Sequence, residues 1–158
     1  MFWRLLSKDF EKNKGTNNRG LFNQLVKDKE PLGVVAFEDE RPIGWCSISP
    51  REKLIRLENS RLFKKIDDTP VWSITCMFIK KEYRKKGISS ILIKEASMYA
   101  FSKGAKVIEA YPVISPKNKP MPDVFVYYGL VNAFNKAGFK KVKQPSENRL
   151  IMRLGSQG

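Results

Sequence analysis

The chain contains no histidine and only two cysteines, Cys46 and Cys76, among its 158 residues. The missing histidine excludes Ser–His and Cys–His nucleophilic machinery and any histidine-based zinc site. Two cysteines 30 positions apart, each inside an apolar strand-like run, supply neither a disulfide framework nor a metal quartet. They read as reduced core thiols, and no metal is expected. Acidic residues are also scarce: 16 Asp and Glu against 30 Lys and Arg leave a net charge of +14. No apolar run approaches the ~20 residues that cross a bilayer. The opening Met1-Phe2-Trp3-Arg4-Leu5-Leu6-Ser7 has neither the long apolar segment nor the small-residue cleavage site of a secretory leader. A cytoplasmic location with no membrane partner is therefore the default.

What is present suits one globular domain over residues 1–158, with an ordinary apolar share of 42%. Acid–base chemistry has to come from Asp, Glu, Tyr, Lys, Cys or water. The positive field attracts polyanions, and charge alone leaves nucleic acid and a phosphorylated cofactor as alternatives. Against nucleic acid, the aromatic residues sit in strand-like runs and are not interleaved with the basic ones. A field of this sign repels polycations, so a neutral or acidic small-molecule partner fits it better.

Leu21, Phe22, Leu25 and Val26 recur at helical spacing ahead of Pro31. Residues 32–37 and 42–48 read as a β-hairpin, and 51–65 as a basic, partly helical connector. A strong strand follows over 71–79. Ile88, Ile91, Leu92, Ala96, Tyr99 and Ala100 line one helical face as far as Lys103, and Gly104 stops the helix. A short strand is expected over 107–111, a proline-rich loop over 115–123, a helix over 124–136, and a closing pair of strands ending near 142 and 154. A strand–helix–strand unit between hairpins predicts an α/β layer sandwich with a mixed, mostly antiparallel sheet and one central parallel pair.

The most informative stretch is Tyr83-Arg84-Lys85-Lys86-Gly87-Ile88-Ser89-Ser90, between that strong strand and the helix. A helix start carries N–H groups without internal partners and the positive end of the helix dipole. Gly87 allows close approach of a ligand to the backbone. The stretch is neither GxxxxGK[ST] nor GxGxxG, and three adjacent cations are also compatible with a solvated surface.

With these features the chain resembles the GNAT superfamily of acyl-CoA-dependent N-acetyltransferases. Arg84, Gly87 and Ser89 fill the family's Arg/Gln-x-x-Gly-x-Gly/Ala motif, Ser89 departing at the last small position. Gly104-Ala105-Lys106 before a strand and Phe134-Asn135-Lys136-Ala137-Gly138-Phe139 also fit. The resemblance covers residues 32–153. Within it, Pro-Ile-Gly-Trp-Cys at 42–46, Ser49-Pro50-Arg51, Val71-Trp72-Ser73, Glu109-Ala110-Tyr111-Pro112 and Ile151-Met152-Arg153 resemble an uncharacterised bacterial branch.

The resemblance implies acetyl transfer from acetyl-CoA to a primary amine of unidentified identity, and a homodimer is compatible with the fold. It implies that the cofactor diphosphate lies on the amides of Lys85, Lys86, Gly87, Ile88, Ser89 and Ser90, supported by Arg84. Met77, Phe78 and Ile79 would pair with the pantetheine arm beside a strand bulge, and Phe134 would stand near the thiol. Glu109 is the candidate base, with a solvent-facing or lysine-paired carboxylate as the competing reading. Tyr111 either orients the acceptor or walls the cleft. Phe134 stands where family members often carry a proton-donating tyrosine, so Tyr127 or Tyr128, expected on the same helix, is the candidate substitute, with Tyr128 preferred. Trp3, Trp45 and Trp72 read as core, and Arg19 and Arg51 as surface unless one meets an acidic acceptor. A CoA-binding sensor without catalysis, or a basic nucleic-acid-binding module, remains the alternative.

Overall fold

The computed structural model describes residues 1–115 and 127–156. β-branched and aromatic runs form six strands: β1 (Gly33–Glu38), β2 (Arg41–Pro50), β3 (Trp72–Ile79), β4 (Val107–Ala110), β5 (Lys140–Ser146) and β6 (Arg149–Gly155). They make one mixed sheet in the order β1-β2-β3-β4-β6-β5, in which only β3 and β4 run parallel among the described strands. The helices are α1 (Ser7–Lys12), α2 (Thr16–Lys27), α3 (Ile55–Glu58), α4 (Ile88–Ser102) and α5 (Val131–Lys136). The expected mixed α/β sandwich is therefore the observed fold. None of the described helices is long and apolar enough to cross a membrane.

Two apolar clusters flank the sheet. The larger joins Cys46, Ile48, Ile74 and Met77 of the sheet to Leu92, Ile93, Ala96 and Ala100 of α4 and to Phe134 of α5. The smaller, on the outer face, gathers Leu54, Leu57, Phe63, Tyr111 and Ile151, with Trp3 packed against it. The expected apolar stripe of α4 needs one correction. Ile91 is 57% exposed, and Ile93 takes its place in the core. The buried arc runs through Leu92, Ile93, Ala96, Ser97 and Ala100, and the Ser97 hydroxyl satisfies itself on the Ile93 carbonyl at 2.7 Å.

A β-bulge decides which way the end of β3 faces. Ser47 pairs with Cys76 and Ile48 with Ile74, so Thr75 has no counterpart on β2. An extra residue breaks the two-residue alternation of a strand. Ile74 and Met77, three apart, consequently share the α4 face, whereas Phe78 turns outward and is 42% exposed.

The helix expected over 124–136 is shorter. It begins at Val131, because Gly129 adopts φ +75 and breaks any continuous helix there. Its first expected residues, 124–126, lie outside the described residues, as does the expected loop 115–123 beyond residue 115. Tyr127 and Tyr128 form a single 3-10 turn ahead of α5 and are not part of that helix.

Residues 51–70 are fastened to the sheet by one buried arginine. Arg51, expected at the surface, is 3% exposed. Its Nε donates to Glu58 at 2.6 Å, Nη1 to Glu109 at 3.0 Å and to the Tyr111 hydroxyl at 2.9 Å, and Nη2 to the carbonyls of Phe63 at 2.6 Å and Leu57 at 3.3 Å. Arg153 closes the network on the second Glu109 oxygen at 2.8 Å and on Asp67 at 2.6 Å. A charge this deeply buried is tolerable only when its donors are all met.

Removing one partner strands the rest. Arg51→Ala or Glu109→Ala is expected to cost about 3–5 kcal/mol in urea denaturation, with strong coupling in the double variant. The Arg153 hydrogen bond, followed by those of Thr69, holds the Asp67 carboxyl down to about 2. A depressed folded value stabilises above the unfolded value of about 3.9, and the gain is lost as pH falls through about 2. Asp67→Asn is expected to flatten the acid limb of the stability curve over that interval.

Candidate functional site

Strands β3 and β4 pair only from Trp72–Ile108 to Ile74–Ala110. On its other side β3 stays paired with β2 as far as Ile79. Beyond Ile74, β3 therefore keeps one edge of backbone N–H and C=O groups without a partner strand among the described residues. The chain after β4 turns away through Pro112, and Val113 bridges instead to Leu130 and to Arg149. A wedge opens between β3 and residues 127–130.

Next to the wedge, the chain enters α4 through a turn rich in left-handed conformations. Lys85 has φ +61 and Gly87 φ +79. A lysine there is strained, and such strain concentrates where a backbone must be presented in a set direction. Among the described residues, the amides of Lys85, Lys86, Gly87, Ile88 and Ser89 donate to no protein acceptor; Ser90 donates to the Gly87 carbonyl at 3.1 Å. Successive N–H groups in this setting, at the start of a 15-residue helix, form a concavity suited to an anion. Arg84 braces the turn, its Nε donating to the Ile79 carbonyl at 3.0 Å.

Wedge and turn share one cavity of about 430 Å³, lined by Met77, Phe78 and Ile79, by Arg84, Lys85, Gly87, Ile88, Ser89 and Ser90, and across from them by Tyr127, Gly129, Leu130 and α5. Nine of the residues expected from sequence to hold the cofactor thus meet around one space. Lys86 does not line it; its ammonium lies 5.3 Å from the Tyr83 ring centroid. Phe134 lies beneath it, wholly buried against Phe139 with ring centroids 5.2 Å apart. Gly129 makes this floor possible. A Cβ there would come within 2.7 Å of the Phe134 ring and 2.9 Å of the Met77 methyl.

The candidate catalytic side chains are arranged differently from the sequence-based expectation. Glu109 lies opposite Ser73, near the start of β3 and away from the wedge. It is 1% exposed, with one oxygen shared by Arg51 and Tyr111 and the other taken by Arg153. A carboxylate so engaged anchors structure, and the cavity it borders, with Arg51, Asp67 and Arg153, is not the wedge, which corrects its expected role as base. Tyr111 is equally buried, its hydroxyl 2.7 Å from Glu109 and 2.9 Å from Ser73. Burial, reinforced by the Glu109 charge, pushes its phenol well above the ordinary range. It belongs to the network and does not wall the cleft. Tyr128 turns away from the cavity: Arg149 lies over its ring at 3.9 Å and Trp3 meets it edge-on at 6.1 Å. Of these two adjacent tyrosines it is Tyr127, 45% exposed, that stands on the cavity wall. Burial raises the thiols of Cys46 and Cys76, so both stay protonated.

Gly87 and Gly129 both hold positive φ but differ in the space around them: a Cβ at Gly87 would meet nothing within 4 Å. Gly87→Ala is expected to cost about 1–2 kcal/mol, the left-handed penalty alone. Gly129→Ala should cost roughly 3 kcal/mol or more, since overpacking adds to it. Urea denaturation of the two variants checks the order.

A sequence model described as the acetyltransferase (GNAT) family matches residues 1–127. No curated protein matches the chain by sequence. Among solved structures, the PaiA N-acetyltransferase from Thermoplasma acidophilum in complex with coenzyme A is similar at 20% identity and TM-score 0.54, over 96% of this chain and 80% of that one. A ribosomal-protein-alanine N-acetyltransferase from Brucella melitensis aligns at 16% identity and TM-score 0.54, over 89% and 77%. A spermidine N-acetyltransferase chimera from Vibrio cholerae aligns at 15% identity and TM-score 0.55, over 87% and 74%. At such identities the likeness establishes the fold.

Proposed function

We propose that this chain, which belongs to the acetyltransferase (GNAT) family, transfers an acetyl group from acetyl-CoA to a primary amine by direct attack on the thioester. One observation carries the reading: Lys85, Gly87, Ile88 and Ser89, whose amides have no protein acceptor, and the unpaired edge of β3 border the same cavity. A diphosphate suits the first and the amide-bearing pantetheine arm suits the second, and the wedge joins them in the order in which CoA carries these groups. The neighbour with bound coenzyme A supports the choice of cofactor.

In this reading the amides of Lys85, Gly87, Ile88 and Ser89 hold the diphosphate. The pantetheine amides add to β3 past Ile74 as a short extra strand. The acetyl group then lies near Phe78, where a backbone N–H can stabilise the oxyanion, an effect of about 3 kcal/mol for one well-placed donor. The acceptor loses its ammonium proton to water before it reacts, because an alkylamine is charged below about pH 10. Its lone pair attacks the carbonyl carbon, a C–N bond forms, the C–S bond breaks, and CoA leaves as a thiolate. The second amine proton goes to solvent, and the thiolate takes one from Tyr127 or from water. A thiol pKa near ~8.5 makes that leaving group tolerable even without an acid.

Acetyl-CoA is expected to raise the melting temperature saturably, by an amount equivalent to about 2.7 kcal/mol at a hundredfold excess over Kd. Gly87→Asp, which sets a carboxylate among the anion-binding amides, should abolish the shift. No shift at millimolar acetyl-CoA would sink the proposal. Tyr127→Phe should lower kcat about tenfold, below the usual general-acid effect because the thiolate is already a fair leaving group.

A further inference from the structure

Among the described residues, three buried side-chain polar atoms have no hydrogen-bond partner: Oδ1 of Asn18, Nη2 of Arg56 and Nη1 of Arg149. Asn18 and Arg56 belong to the N-terminal layer, where Asn18 donates to the Phe10 carbonyl and Arg56 lies over the Phe2 ring. Arg149 lies beside the wedge. It bridges to Val113, and Val113 bridges to Leu130 on the cavity wall. Two strand spacings therefore separate its backbone from the cavity, about 10 Å.

Its side chain stands on the outer face of the sheet. Strand alternation puts Arg149 with Ile151, a member of the outer cluster, whereas Leu150 and Met152 face α4. Cys76 and Phe78 share that outer face, because the bulge at Thr75 turned them there. The cofactor cavity is walled by α4 and α5 on the opposite side, so the outer face is the approach left to an acceptor. The guanidinium is stacked 3.9 Å over Tyr128, and no carboxylate pairs with it among the described residues. Burial lowers its pKa, offset only by the Tyr128 phenol. A guanidinium end that is desolvated without an anion is costly, and a carboxylate meets its parallel N–H donors two at a time.

We propose that Arg149 is an acceptor-binding residue that recognises a carboxylate, so that the acceptor is a small amino acid whose amine is directed at the wedge while its carboxylate rests on Arg149. The inference rests on the proposed acetyl transfer for its chemistry, but the binding half is tested separately. The net charge of +14 favours capture of such a ligand over a polyamine.

The test follows the Arg149 Nε–H signal by NMR in the full chain, titrated with N-acetylglycine and N-acetylalanine and with the corresponding amides. A saturable shift with the acids, none with the amides, and loss of acid binding in Arg149→Gln support the assignment. Equal response to acids and amides, or response to neither while CoA binds, overturns it and leaves the transferase reading standing. Failure to bind CoA strikes that reading alone. In thiol-release kinetics with acetyl-CoA, the acid-to-amide ratio of kcat/KM for alanine and alaninamide is expected to exceed tenfold. The ratio should collapse towards one in Arg149→Gln and return in part in Arg149→Lys. A ratio near one in the unaltered protein overturns the proposal.

Discussion

Every feature of the proposed site depends on where two parallel strands stop being partners. β3 and β4 share three register positions, ending at Ile74 and Ala110, while β2 holds β3 in place for five residues more. Backbone polar groups that lose a strand partner need another, from water or from a ligand. The parting therefore leaves an open edge on a segment that β2 still holds. The turn into α4 follows directly from β3, so a single stretch of chain, residues 75–90, carries both the edge and the amides without protein acceptors. Helix α4 packs on the inner face of β3, and the Arg51 network ties the start of the same strand through the Ser73–Tyr111 hydrogen bond.

The strands, the order of elements and the turn at 84–89 were legible because each is written locally. Alternation gives strands, a glycine after three cations opens a helix, and Gly104 closes it. What could not be read was whatever depends on chain arriving from elsewhere. Glu109 stands in a strand beside the expected cleft, and nothing near it in sequence announces that Arg51 and Arg153 converge on its two oxygens. Arg51 looked like surface because a lone arginine normally is. Its burial is possible only because five acceptors from separate segments meet its donors. Several of the short stretches that carry the resemblance read from sequence, around Arg51, Ser73, Glu109, Tyr111 and Arg153, turn out to be the parts of this one network.

Tyr127 and Tyr128 show a different kind of failure. Apolar periodicity over 124–136 suggested one helix, and on a helix the two tyrosines differ by about 100° in direction. Gly129 carried the warning. Its positive φ ends the turn before α5 begins, which leaves Tyr127 on the cavity wall and Tyr128 under Arg149. The same glycine lets Phe134 and Met77 close the cavity floor. A residue that reads as a blemish in a helix is a hinge between two small surfaces.

The unmatched Thr75 has a consequence for how this strand can vary over time. A bulge acts as a parity switch: upstream of it even-numbered residues face the core, and downstream of it odd-numbered ones do. Side chains at 76–79 can be exchanged one at a time, but the count of residues between Ile74 and Met77 cannot drift by one. Such a drift would drive Phe78 into the packing under α4 and push Met77 into water. The length of this segment is thus more tightly constrained than its spelling.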